Sequence, residues 1–145
     1  MSKRDKYRQM LRAGLVGDYD TAERYGAELG EVSWQDSGVL VNALFTLTVQ
    51  DKFDDDADRD DIRAFVRQLL DDYSTADPPL KPLMAEGLIR SVLGEDELYR
   101  EIDKVEAIPT QTAIAYKLVS DANLSTEQID ELLADASELA DRWSN

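Results

Sequence analysis

Six apolar side chains, Ile62, Phe65, Val66, Leu69, Leu70 and Tyr73, fall at i, i+3, i+4, i+7, i+8 and i+11 without a miss. That spacing lines one face of an α-helix and is incompatible with the two-residue period of a strand. It predicts a helix from about Asp58 to Tyr73, closed by Ala76-Asp77-Pro78-Pro79, where proline removes a backbone donor and restricts the residue before it. The same period runs through nearly the whole chain. Tyr7, Met10, Leu11 and Leu15 mark a first helix, and Gly17-Asp18 stops it and caps the next. Tyr19, Ala22, Tyr25 and Leu29 line a second helix ending near Gly30, and Ser33-Trp34 with Asp36 opens a third.

Val39 to Val49 is ambiguous, because Val39, Val41, Ala43, Phe45, Leu47 and Val49 also alternate like a strand. A lone strand has no ladder partner for its backbone groups, and no second segment reads as a strand, so the stretch is taken as a buried central helix. Asn42 within it then needs a hydrogen-bond partner or an exposed aspect. Further on, Leu83, Met84, Leu88 and Val92 predict a fifth helix with Pro82 in its first turn and Gly94 at its end. Leu98, Tyr99, Ile102 and Val105 predict a short sixth, and Ile114, Leu118 and Val119 a seventh after Pro109. Ser125 and Gln128 form a capping box, with Leu124 placed to staple onto Ile129. The last helix buries Ile129, Leu132, Leu133, Ala136, Ala140 and Trp143. The expectation is an all-α chain of about eight helices forming one domain over residues 1–145, with residues 1–5 as a mobile end. Either stacked antiparallel helical hairpins, as in a short α-solenoid, or an irregular bundle would satisfy it.

The turns lend themselves to pairing. Leu15-Val16-Gly17-Asp18-Tyr19, Leu47 to Asp58, Val92-Leu93-Gly94-Glu95-Asp96 and Val119 to Ser125 each separate an apolar helix from one with an acidic outer face. Such recurrence is the mark of stacked hairpins. Gly17-Asp18-Tyr19-Asp20-Thr21-Ala22 resembles the turn and second-helix start of a tetratricopeptide repeat, where glycine opens the turn and alanine packs into the hairpin. The resemblance spans barely one repeat unit and implies a helical-hairpin scaffold, with no ligand-binding residue carried over. Where that family places Trp, Leu and Gly on the first helix, this chain has Lys6, Gln9 and Met10.

Function is narrowed mainly by exclusion. There is no His and no Cys, which removes Ser-His-Asp and Cys-His nucleophile systems, histidine proton shuttles, zinc sites, thiolate-held iron–sulfur clusters and disulfides. Thirty-one acidic against 16 basic residues give a net charge of −15, which argues against direct binding to nucleic acid or an anionic membrane. Met1-Ser2-Lys3-Arg4-Asp5-Lys6 is followed by no apolar run, and Val39 to Val49 is far short of the roughly 20 residues of a spanning helix, so a cytoplasmic protein is expected. The 20 Asp among the acids fit either a salt-adapted surface, which would fold less well in dilute buffer, or a codon bias.

Asp51, Asp54, Asp55, Asp56, Asp58, Asp60 and Asp61 invite a calcium reading. Asp54, Asp56 and Asp58 stand at the first, third and fifth places of an EF-hand loop, but Arg59 occupies the glycine position and Phe65 that of the bidentate Glu. The turn instead reads as solvated, with Asp58, Asp60 and Asp61 favouring the next helix's N-terminus. No metal or other cofactor is expected. Gly14-Leu15-Val16-Gly17 has the outline of a G-x-x-G loop, yet Asp18 and Asp20 would repel phosphate, and an ordinary helix end explains it. No phosphate-cradling motif and no S-x-x-K pattern appears. Of the carboxylates, only Glu86 and Glu106 have apolar sequence neighbours, and a rim position beside the core explains both.

Lys3, Arg4, Lys6, Arg8 and Arg12 against Asp5 make residues 1–12 basic, with Arg4, Arg8 and Arg12 on one stripe. That stripe reads either as a docking arm or as a solvated end balancing nearby acids. The sequence therefore points to a non-enzymatic, acidic protein–protein interaction module. Its candidate contacts are Arg4, Arg8, Arg12, Asp51, Asp54, Asp55, Asp56, Asp58, Trp34 and Trp143, with Tyr25 and Tyr99 as further aromatics; its partner is another, basic protein or a second copy of the chain. The alternative is an inhibitor or immunity-type protein whose carboxylates imitate phosphates and block a basic nucleic-acid-binding partner.

Overall fold

The structure, a computed structural model, describes residues 2–29, 38–76 and 79–144. Eight helices and no strand occur among the described residues: α1 (Lys3–Leu15), α2 (Tyr19–Leu29), α3 (Val39–Lys52), α4 (Arg59–Asp72), α5 (Pro82–Val92), α6 (Asp96–Arg100), α7 (Lys104–Ala122) and α8 (Thr126–Ser144). No helix among them is long and apolar enough to cross a membrane. The expected opening at Ser33, Trp34 and Asp36 and the breaker Asp77-Pro78 lie outside the described residues.

Local chemistry sets the helix ends. The α1 C-terminus closes with the Asp18 N–H donating to the Ala13 carbonyl at 2.8 Å and that of Gly17 to Gly14 at 3.2 Å. This geometry requires a left-handed residue, supplied by Gly17 at φ +88°. Gly94, at φ +119°, ends α5 in the same manner, with the Glu95 N–H returning to the Arg90 carbonyl at 3.1 Å. Asp18 caps α2 through the Thr21 N–H, Asp58 caps α4 through the Asp60 N–H, and Asp103 caps α7 through Val105 and Glu106. The capping box forms as expected: Ser125 N–H donates to Gln128 Oε1 at 2.8 Å, and Gln128 N–H to Ser125 Oγ at 3.2 Å.

Two apolar cores share one wall. Leu40, Val41, Ala43 and Leu44 of α3 pack with Tyr7, Leu11 and Leu15 of α1, Ile108, Ala115 and Val119 of α7, and Ile129, Leu133, Ala136 and Ala140 of α8. Phe45 and Val49 of the same helix pack instead with Ile62, Phe65, Val66 and Leu69 of α4, Ala85, Leu88 and Ile89 of α5, and Ile114 and Leu118 of α7. The ambiguous segment is thus a helix, apolar on most sides because partners flank both of its faces. Asn42 finds its partner in the buried Gln111, whose Nε2 donates to Asn42 Oδ1 at 2.9 Å. Because α3 and α7 are far apart in the chain yet form the shared wall, the architecture is an irregular bundle. In a hairpin stack each unit would meet only its sequence neighbours. Nothing in the packing of the described residues supports tetratricopeptide-type repetition.

Five positions depart from the expected pattern. Trp143 is 46% exposed and Leu83 is 82% exposed, each near one end of its helix, where the apolar period continues beyond the partner it would cover. Tyr19, in the first turn of α2, is also exposed. Pro109 does not precede α7 but lies inside it, and Val105 belongs to that helix rather than to the sixth. Asp103 nucleates α7 upstream of the proline, and the missing donor falls where Val105 and Pro109 are exposed, so water can serve the freed carbonyl.

Candidate functional site

The acidic turn lies where α3 ends and α4 begins, beside the C-terminus of α7. Asp51, Asp54, Asp55, Asp56 and Asp58 are all exposed, and Phe53 turns inward between them, meeting Phe65 edge-on with ring centroids 5.8 Å apart. No group of three or more acidic side chains among the described residues is placed to hold a metal ion. Two adjoining hollows flank this edge. One, about 210 Å³, is bounded by Thr48, Asp51, Lys52, Leu118, Asp121, Ala122, Leu124 and Leu132, and is mostly apolar with charge at its rim. The other, about 430 Å³, is bounded by Lys52, Phe53, Asp61, Ala64, Phe65, Gln68 and Asp121. Lys52 and Asp121 border both.

The negative character of this edge has two sources. Asp51, Asp61 and Asp121 supply full charges that outnumber that of Lys52, and the C-termini of α3 and α7 add the negative ends of two helix dipoles. A cation is already held there. Burial opposes the charge of Lys117, but hydrogen bonds to Asp72 at 2.7 Å and Asp121 at 3.3 Å outweigh it and raise its pKa above the usual lysine value. Its ammonium also sits 5.8 Å from the centre of the Phe65 ring.

The basic stripe is largely folded against the chain's own acids. Arg4 pairs with Asp141 at 2.8 Å, and Arg12 grips Asp130 through Nε at 2.7 Å and Nη2 at 3.4 Å, tying α1 to α8. Those bonds raise the Arg12 pKa and hold the Asp130 carboxyl low. Arg8 forms no ion pair among the described residues and borders a shallow groove with Asp5, Gln9 and Asp130. Trp34 lies outside the described residues, whereas Trp143 is accessible and Tyr25 is half-buried. Glu86 sits at the core's rim, paired with Arg63 at 3.2 Å and Arg90 at 3.8 Å, and Glu106 is exposed in the first turn of α7. Every described Asp and Glu other than Glu86 and Glu95 is exposed, and these acids are spread over the outer faces of α2, α4, α6 and α8 rather than gathered on one ridge.

Arg90 binds Glu95 in a two-pronged pair at 2.6 and 2.7 Å, and Arg59 approaches the same carboxylate at 3.6 Å, joining α4, α5 and the turn before α6. The Arg90 hydrogen bonds lower the Glu95 pKa below its ordinary 4.5. On acidification the unfolded chain protonates Glu95 first, so the pairing stabilises the fold above that pH and its contribution is lost as the pH falls further. The melting temperature of wild type should exceed that of Glu95→Gln near neutrality, and the gap should close as the pH falls below the ordinary glutamate value of 4.5. A gap that stays constant on acidification would show the pair to be without thermodynamic weight.

No protein-family model, curated protein or solved structure matches this chain.

Proposed function

We propose that this protein is a non-enzymatic interaction module that binds a basic, amphipathic segment of another protein along the α3–α4–α7 edge. The observation that carries the reading is the pair of hollows meeting at Lys52 and Asp121, with apolar floor and acidic rim side by side. A hollow of about 210 Å³ takes one or two aliphatic side chains, and the surrounding carboxylates and helix C-termini favour lysine or arginine beside them. The even spread of the other acids suits a soluble or salt-adapted surface more than phosphate mimicry, which would call for carboxylates concentrated on a ridge.

Fluorescence anisotropy with a labelled Lys/Leu amphipathic helical peptide tests the reading. Saturable binding is expected, weakening steeply with salt, while a Glu/Leu peptide of the same pattern should not bind. Ala122→Arg places a bulky cation at an exposed position bordering the first hollow and should weaken binding about tenfold, equivalent to about 1.4 kcal/mol. Equal affinity of wild type and Ala122→Arg, or failure of wild type to bind the Lys/Leu peptide, would overturn the assignment.

A further inference from the structure

The α3–α4–α7 edge carries an excess of negative charge, and its charges also have an order, set by the turn between α3 and α4. Lys52 is the basic residue in the last turn of α3, where the carbonyl end of the helix favours a cation. The next residue, Phe53, is buried edge-on against Phe65, so the backbone at Lys52 is held beside the core while its side chain is exposed. Although Asp51, Asp54, Asp55 and Asp56 lie close to it in the sequence, Lys52 forms no ion pair among the described residues. It borders both hollows, whereas Asp51 borders only the first and Asp61 only the second. Neither of those carboxylates is in an ion pair among the described residues. Asp121 also borders both hollows, but Lys117 already answers its charge at 3.3 Å.

The uncommitted charges bordering the hollows therefore alternate: negative at the first hollow, positive where the two meet, negative at the second. A uniformly basic segment laid across them would satisfy Asp51 and Asp61 but set a like charge against the Lys52 ammonium. Such juxtaposition is one way in which interfaces reject wrong partners. We propose that the partner segment places one acidic residue against Lys52, between two basic ones, and that Lys52 sets this preference; the proposal rests on the peptide-binding role given above. As a compact charge on a flexible stem, Lys52 tolerates some latitude in where that carboxylate sits, while the apolar hollow fixes the segment's register.

Anisotropy titrations of the full chain with a series of labelled Lys/Leu helical peptides, each lysine in turn replaced by glutamate, test the proposal. With wild type, glutamate at one position should tighten binding about threefold, the scale of an exposed ion pair, and at the other positions should weaken it. With Lys52→Glu the all-lysine peptide should become the tightest binder, and the formerly favoured glutamate should become the least tolerated. Lys52→Gln, which adds no negative charge at the end of α3, should lose the preference for glutamate without reversing it. An all-lysine peptide that binds wild type most tightly would overturn the charge order and leave peptide docking standing. So would a favoured glutamate position that survives unchanged in both variants. Failure of wild type to bind any peptide of the series would overturn docking and charge order together.

Discussion

Replacing Phe45 with alanine is expected to destabilise the protein by about 3–5 kcal/mol, read as a drop in the urea midpoint with unchanged slope. Phe45 is 1% exposed and is among the largest fully buried side chains. It sits in the middle of α3 and belongs to the core formed with Val49, Ile62, Phe65, Leu69, Leu88, Ile89 and Ile114. Truncation removes the ring's transfer free energy and leaves a void that four packed helices cannot collapse around, since each is also held by other contacts. A domain of this size is typically stable by only about 5–15 kcal/mol, so the change is a large fraction of the whole. Leu83→Ala provides the control. Leu83 is 82% exposed, so the same kind of truncation should stay within about 0.5 kcal/mol. A Phe45→Ala loss no larger than that of Leu83→Ala would mean that α3 is not the shared wall of the two cores.

The helices were legible because their determinants are local. The α4 stripe, the capping residues Asp18, Asp58 and Ser125, and the stops at Gly17 and Gly94 each act within a few residues of their own position. What sequence could not show was the pairing of α3 with α7. Both are buried on more than one side, so neither carries a single apolar stripe that would point to one partner. The same limit explains Trp143 and Leu83, for periodicity marks a face but not where along that face the neighbouring helix ends. At Pro109 a general rule against proline in helices was outweighed by the Asp103 cap upstream of it.

The site was legible only in part. The excess of carboxylates at Asp51 to Asp61 was plain from composition, and the turn is exposed as expected of a solvated one. The hollows beside it were not foreseeable, because their walls join Thr48 to Leu132 and Phe53 to Asp121 across long sequence separations. Likewise the basic stripe was visible, but not that Asp130 and Asp141 of α8 would answer Arg12 and Arg4.

Gly14→Ala, a change that normally favours a helix, is expected to destabilise this one by about 1–3 kcal/mol. In an unencumbered helix interior the substitution would be stabilising by up to about 1 kcal/mol, because alanine loses less backbone entropy on folding. Gly14 is buried in α1, and a Cβ there would collide with the hydroxyl and ring of Tyr116 on α7. The ring has little room to retreat, being largely enclosed, and burial pushes its pKa above the ordinary tyrosine value. The absent side chain at position 14 therefore sets how closely α1 approaches α7, and added volume must move one helix or force Tyr116 from its rotamer. A double-mutant cycle separates the two opposing effects. In a Tyr116→Ala background the clash is gone, so Gly14→Ala should there become neutral or stabilising, with a coupling energy of about 1–3 kcal/mol between the sites. A penalty that persists undiminished in that background would place its origin elsewhere than the α1–α7 contact.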